Sequence, residues 1–119
     1  MGLPEFMYEY KATVLKVVDG DTVDLRVSLG FHSYLDVRTR LARINTAEMK
    51  SSDDVERELA VKAKNRVIEL TANPDCIIKS FKPYKTDKYG RWVVELLNSE
   101  GKNINKILLD EGLAKFYND

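Results

Sequence analysis

Three short segments of this chain set carboxylates beside guanidinium groups. Asp19-Gly20-Asp21-Thr22 places two acids around a glycine. Arg40-Leu41-Ala42-Arg43-Ile44-Asn45-Thr46-Ala47-Glu48 runs from a pair of arginines to an acid, and Asp87-Lys88-Tyr89-Gly90-Arg91 ends on a third arginine. A guanidinium is a rigid bidentate donor suited to phosphate. Carboxylates repel phosphate unless a cation stands between them, so acids beside arginines suggest a metal-dependent phosphate site. From Lys79 to Arg91 the basic residues Lys79, Lys82, Lys85, Lys88 and Arg91 face the single acid Asp87, with Phe81, Tyr84 and Tyr89 interleaved. Cations that track phosphates and rings that stack bases are what a single-stranded nucleic-acid groove requires. Arg38, Arg40 and Arg43 form a second basic cluster, while acids gather at Asp19-Asp21-Asp24 and from Glu48 to Glu58. Taken singly, each feature has a plainer explanation. The loop is merely solvated, Asp21 is a turn residue, Glu48 a surface acid, Arg40 a solvent-facing strand residue, and Arg91 a loop partner of Asp87.

In this order and spacing the three segments resemble the staphylococcal nuclease (thermonuclease) family, whose members hydrolyse DNA and RNA with calcium. The resemblance runs from about Lys11 to Lys115 and includes Gly112-Leu113-Ala114-Lys115. It implies that Arg40 and Arg91 are catalytic arginines and Glu48 the catalytic carboxylate. It likewise implies Asp21 as the first Ca²⁺ ligand, Thr46 as the donor of a backbone carbonyl to the metal, and Lys88 and Tyr89 as contacts to substrate phosphate. The implied reaction breaks the bond to the 5′-oxygen and leaves a 3′-phosphate on single-stranded or locally open DNA or RNA. The chemistry accounts for these residue types. Arginines stabilise the charge that builds on phosphorus, a carboxylate takes or orients the proton of an attacking water, and a hard cation prefers oxygen ligands. The alternative is a nuclease-like barrel that binds nucleic acid and has lost catalysis; a protein-interaction barrel is more distant. Binding alone has no need of Glu48.

The chain departs from the family in places. Asn45 stands where the staphylococcal enzyme has a second metal-binding aspartate, so an amide oxygen replaces a charged ligand. The connection from Glu48 to the first helix is shorter. No third helix follows Lys115, and the two tyrosines that flank the substrate in that enzyme have no clear counterparts, Tyr117 being near but out of register.

The elements that must hold these residues follow from periodicity. Ala12 to Val18 is β-branched and apolar, Asp19-Gly20 supplies a turn, and Val23, Leu25, Val27 and Leu29 alternate with polar residues. Tyr34 to Ile44 alternates again, giving a three-strand meander. From Asp53 to Ala72 the period becomes helical, with Val55, Leu59, Ala63, Val67 and Leu70 as the inward stripe. Asp53 and Glu56 resemble a capping box, and Asn73-Pro74 stops the helix. Strands near Cys76–Phe81 and Arg91–Leu97 come next. A second helix over Asn103–Glu111, with Ile104, Ile107 and Leu108 inward, ends at Gly112. The order predicts a mainly β (α+β) fold, a five-stranded Greek-key barrel of the OB type with two helices.

Composition sets the outer limits. The chain has 119 residues, 44% hydrophobic and 32% charged, an ordinary globular mixture of one-domain size. The single Cys76 excludes an intrachain disulfide and a cysteine-based zinc site. No apolar run approaches the roughly 18 residues of a membrane span, and no signal-peptide pattern opens the chain. Met1 to Phe6, ahead of a second methionine at Met7, read as a vector-derived leader, leaving 7–119 as one nuclease-like domain, expected to be a monomer. The 19 basic and 19 acidic residues cancel, which argues against attraction of nucleic acid by bulk charge. His32 is expected at a turn, Cys76 in the core and Trp92 in packing.

Overall fold

The computed structural model describes residues 8–80 and 89–117. The expected leader, and most of the basic loop with Lys88, therefore lie outside the described residues. Three long strands open the chain: β1 (Tyr8–Asp19), β2 (Thr22–Gly30) and β3 (Ser33–Leu41). After β4 (Ile44–Thr46) come helix α1 (Asp54–Leu70), β5 (Asp75–Ser80), β6 (Trp92–Asn98), helix α2 (Ile104–Asp110) and β7 (Ala114–Phe116). Strands β1-β2-β3-β6-β5 close into a barrel, because β5 pairs back onto β1 from Tyr8↔Ser80 to Thr13↔Asp75. That is the expected five-stranded architecture, with β3 and β6 meeting in parallel at Thr39↔Trp92, Arg40↔Val93 and Leu41↔Val94. Beyond it stands a two-stranded sheet of β4 and β7, which periodicity did not announce because each strand is only three residues long. No helix among the described residues is long and apolar enough to cross a membrane.

Alternation sorts the strand residues. Val23, Leu25, Val27, Leu41, Val94 and Leu96 enter one core together with Ile44, Val67, Ile104 and Leu108. Their neighbours Thr22, Arg40 and Val93 fall on the outer face in one cross-strand row. That row is nevertheless buried, at 3%, 6% and 3% exposure. The barrel wall is thus covered there, and this covered patch becomes the site.

The helices confirm the expected ends, and in α1 the expected stripe holds at Ala63, Val67 and Leu70 but not in the first turns. Asp53 caps α1, its carboxylate accepting from Val55 N–H at 2.9 Å. The reciprocal half of the capping box is absent: Glu56 Oε1 instead accepts from Glu48 N–H at 3.4 Å, tying the preceding loop to the helix. The buried face is Ala60, Ala63 and Val67, whereas Val55 and Leu59 are exposed. Small alanines let the helix lie close on the barrel, and the bulkier branched residues of the first turns are rotated away. In α2, Asn105 is buried beside Ile104 and Leu108, and Ile107 is only half-buried. Its amide donates to Ala42 O and Val94 O and accepts from Leu96 N–H, all within 3.0–3.2 Å. It therefore takes over the backbone pairing where β3 leaves β6. His32 sits in the β2–β3 turn with φ 58°, and Cys76 is buried in the core with its thiol pushed up to about 12 by desolvation, both as expected. Trp92 packs beside Tyr10, Leu35, Val37 and Ile78 around an apolar cavity of about 230 Å³.

Candidate active site

Gly20 is the pivot of the first segment. A Cβ built on it would stand 2.7 Å from Ala63 Cβ and 3.0 Å from Thr46 Cγ2. Only a glycine lets the β1–β2 turn press between α1 and β4. Asp21 is thereby delivered to β4: its Oδ2 accepts from Thr46 N–H at 3.3 Å, and its own carbonyl accepts from Leu41 N–H at 2.8 Å. Asp19 lies close by, its carboxyl raised above the ordinary carboxylate value by burial first and by the charge of Asp21 second. Lys64, Arg91 and Lys50 pull it back only in part.

Arg40 does not point at solvent. Its Nη2 donates to Ile44 O at 2.8 Å and its Nη1 to Leu41 O at 3.3 Å, so the guanidinium folds the β3–β4 turn around itself. Arg43 takes the left-handed conformation in that turn, φ 63°. The Tyr117 ring packs over Arg40 at 4.8 Å, and Tyr117 N–H donates to Arg43 O at 2.9 Å. Arg91 approaches from the start of β6, with its Nη1 donating to Thr22 Oγ1 at 2.8 Å and its guanidinium 5.3 Å from the Tyr89 ring. Thr22 Oγ1 in turn donates to Asp21 Oδ1 at 3.3 Å. Asp21, Thr22, Arg40, Thr46 and Arg91 thus share one small region.

Other candidates stand apart. Asn45 is exposed on β4, next to Thr46 and paired with Lys115. Glu48 is exposed on the loop toward α1, and among the described residues its carboxylate meets no hydrogen-bond or ion-pair partner. Tyr89 is exposed beside Arg91, and Lys88 falls outside the described residues. The expected Arg38–Arg40–Arg43 cluster is no single basic patch. Arg38 forms a bidentate pair with Asp24 at 2.8 and 3.1 Å, which spends its charge on the barrel surface. Asp24 accordingly leaves the acidic group of Asp19 and Asp21, and its carboxyl is held below the usual range by that arginine.

The family profile described as staphylococcal nuclease homologue matches residues 38–119, more than half of the chain. The chain belongs to the staphylococcal nuclease family. Members of this family are nucleases. Within the staphylococcal nuclease match fall Arg40, Asn45, Thr46, Glu48 and Arg91; Asp19 to Thr22 lie ahead of it and join the site through the contacts just described. Sequence reasoning placed Asp19 beside Asp21 but missed the parts played by Thr22 and Tyr117. Thr22 and Asp19 stood inside the motif, but only the fold shows what their oxygens meet. Tyr117 was out of register for a family tyrosine, and its place over Arg40 depends on the short β4–β7 pairing.

The oxygen donors around the Asp21 turn are of the kind a hard cation takes. Two carboxylates, Asp19 and Asp21, are crowded enough for one to raise the other, and the Asn45 amide and Thr46 carbonyl belong to the adjoining strand. Among the described residues no three Asp, Glu, His or Cys side chains form a cage by themselves. A cation here would lean on neutral oxygens, as Ca²⁺ tolerates.

Proposed function

We propose that this chain is a calcium-dependent phosphodiesterase that cleaves the P–O5′ bond of single-stranded or locally open DNA or RNA and leaves 3′-phosphate ends. The observation that carries the proposal is the convergence of Arg40 and Arg91 on the Asp21 turn, bridged by Thr22. Asp21, Asn45 and the Thr46 carbonyl would hold Ca²⁺. When bound, the ion supplies Lewis-acid polarisation of the phosphate and helps to place a water.

The remaining work belongs to side chains of this chain. Arg40, its direction fixed by two carbonyls and the Tyr117 ring, holds the phosphate through the reaction. Arg91 donates to the departing 5′-oxygen as charge develops on it. Glu48 takes or orients the proton of the attacking water, which requires hydrogen-bond reach once substrate is in place. Lys88 and Tyr89, in the family's substrate positions, contact flanking phosphate. We take residues 7–119 as a single nuclease domain acting as a monomer.

The test is incubation with single-stranded DNA in calcium or in EGTA, beside Glu48→Gln and Arg40→Ala. Calcium-dependent cleavage that falls by about 10²–10³ in the arginine variant and at least as far in Glu48→Gln is the expected result. Equal cleavage in every sample would expose a contaminant. Binding without any cleavage would move the assignment to a nucleic-acid-binding module.

A further inference from the structure

We propose that Thr22 is a positioning residue that fixes the direction of Arg91 and locks it to the Asp21 carboxylate. The proposal rests on the nuclease assignment above and gives the bridging Thr22 a task in catalysis. Thr22 is 3% exposed, so its hydroxyl is out of competition with bulk water. A hydroxyl has one proton and two lone pairs. Here the proton goes to Asp21 Oδ1 at 3.3 Å, and a lone pair receives Arg91 Nη1–H at 2.8 Å. The hydroxyl therefore points one way along a chain from guanidinium to carboxylate. The other carboxylate oxygen, Oδ2, is held by Thr46 N–H at 3.3 Å. Arg91 is thus referenced through Thr22 and Asp21 to the backbone of β4, although residues 69 positions apart supply the first link. Thr22 is also the cross-strand partner of Arg40, so the same residue sets the spacing between the two arginines.

An arginine at the start of a strand has four side-chain torsions to restrain. A charge-assisted bond at 2.8 Å to a buried oxygen removes much of that freedom before substrate arrives. Valine has the same branched shape and suits a strand equally, but it can neither receive Arg91 nor donate to Asp21. Serine keeps both bonds.

The experiment compares wild type, Thr22→Val and Thr22→Ser, alone and with Arg91→Ala, by kinetics on single-stranded DNA at saturating calcium. In parallel, nitrogen-15 NMR of the substrate-free protein follows the Arg91 guanidinium. The expected result is a fall in kcat of about 10–100-fold for Thr22→Val with KM unchanged, and near-wild-type turnover for Thr22→Ser. In the Arg91→Ala background Thr22→Val should cost nothing further. The Arg91 Nη signals should be split by slow rotation in wild type and Thr22→Ser, and merged in Thr22→Val. A loss that repeats undiminished in the Arg91→Ala background overturns the proposal, since Thr22 would then act on the fold at large. If Thr22→Val does not fold, wild type alone decides, because a single averaged Arg91 signal there removes the tether. Wild type that cleaves nothing overturns the nuclease assignment and the catalytic use of the tether, while split Arg91 signals would still report the contact itself.

Discussion

Asn45 and Asp19 pose opposite questions of charge. In the proposed calcium site Asn45 would supply a neutral oxygen where a charged one would bind a divalent cation better. Asn45→Asp should lower the calcium needed for half-maximal cleavage, and calcium should raise its melting temperature more than that of wild type. An unchanged calcium requirement removes Asn45 from the ligand set. Asp19 carries a carboxyl raised above its ordinary value of 3.8 by burial and by Asp21. The folded state therefore holds its proton more tightly than the unfolded chain does. Its effect on stability is most favourable below 3.8, falls as pH rises through the raised value, and stays unfavourable above it. Asp19→Asn should raise the melting temperature at pH 7 in calcium-free buffer, and the gain should disappear as the pH is taken below 3.8. Asp24 has the reverse sign. Its carboxyl is lowered by Arg38, so its contribution is present above the ordinary value and is lost as pH falls through the lowered one.

Among the elements, the β1–β2 turn and α1 meet with no space to spare. Gly20→Ala should destabilise the protein by about 1–3 kcal/mol in chemical denaturation, because the new methyl meets Ala63 and Thr46 before anything can relax. Ala63→Gly in the same chain should recover part of that loss. Asn105→Ala should cost about 1–3 kcal/mol in the same assay, since Leu96 N–H, Ala42 O and Val94 O would lose a buried partner. Period-two runs made β1, β2, β3, β5 and β6 legible in the sequence, and the caps Asp53 and Asn103 stand where the helices begin. The face of α1 was less legible. Hydrophobicity favoured Val55 and Leu59, but closeness to Gly20 selects the alanines, and closeness is a property of two segments at once. The part played by Asn105 was hidden for the same reason, because its partners are backbone groups of β6 and the β3–β4 turn. The arginines and acids were visible as residues. That Arg38 is spent on Asp24 while Arg40 is buried needs the strand register.

At the scale of the whole molecule, the balanced charge becomes a statement about location. Arg26 pairs with Asp36, Arg38 with Asp24, and Arg66 with Glu69 and Glu111. These pairs spend arginine charge on the barrel wall and the helices, away from Arg40 and Arg91. Binding of single-stranded DNA to Glu48→Gln should therefore weaken only gently with salt. A log–log slope of roughly −2 to −3 is expected, corresponding to about three or four phosphate contacts. A slope near −7 would mean that a broad basic surface takes part. The β4–β7 sheet adds a matter of timing. Asn45 pairs with Lys115, and the ring that packs over Arg40 belongs to Tyr117. A ribosome adding about 5–20 residues per second needs several seconds to travel from one strand of that sheet to the other. Throughout that interval the growing chain carries Arg40 without its aromatic cover. A protein that could cut the message it is being read from would acquire its finished arginine pocket only after residue 117 has been added and has left the ribosome.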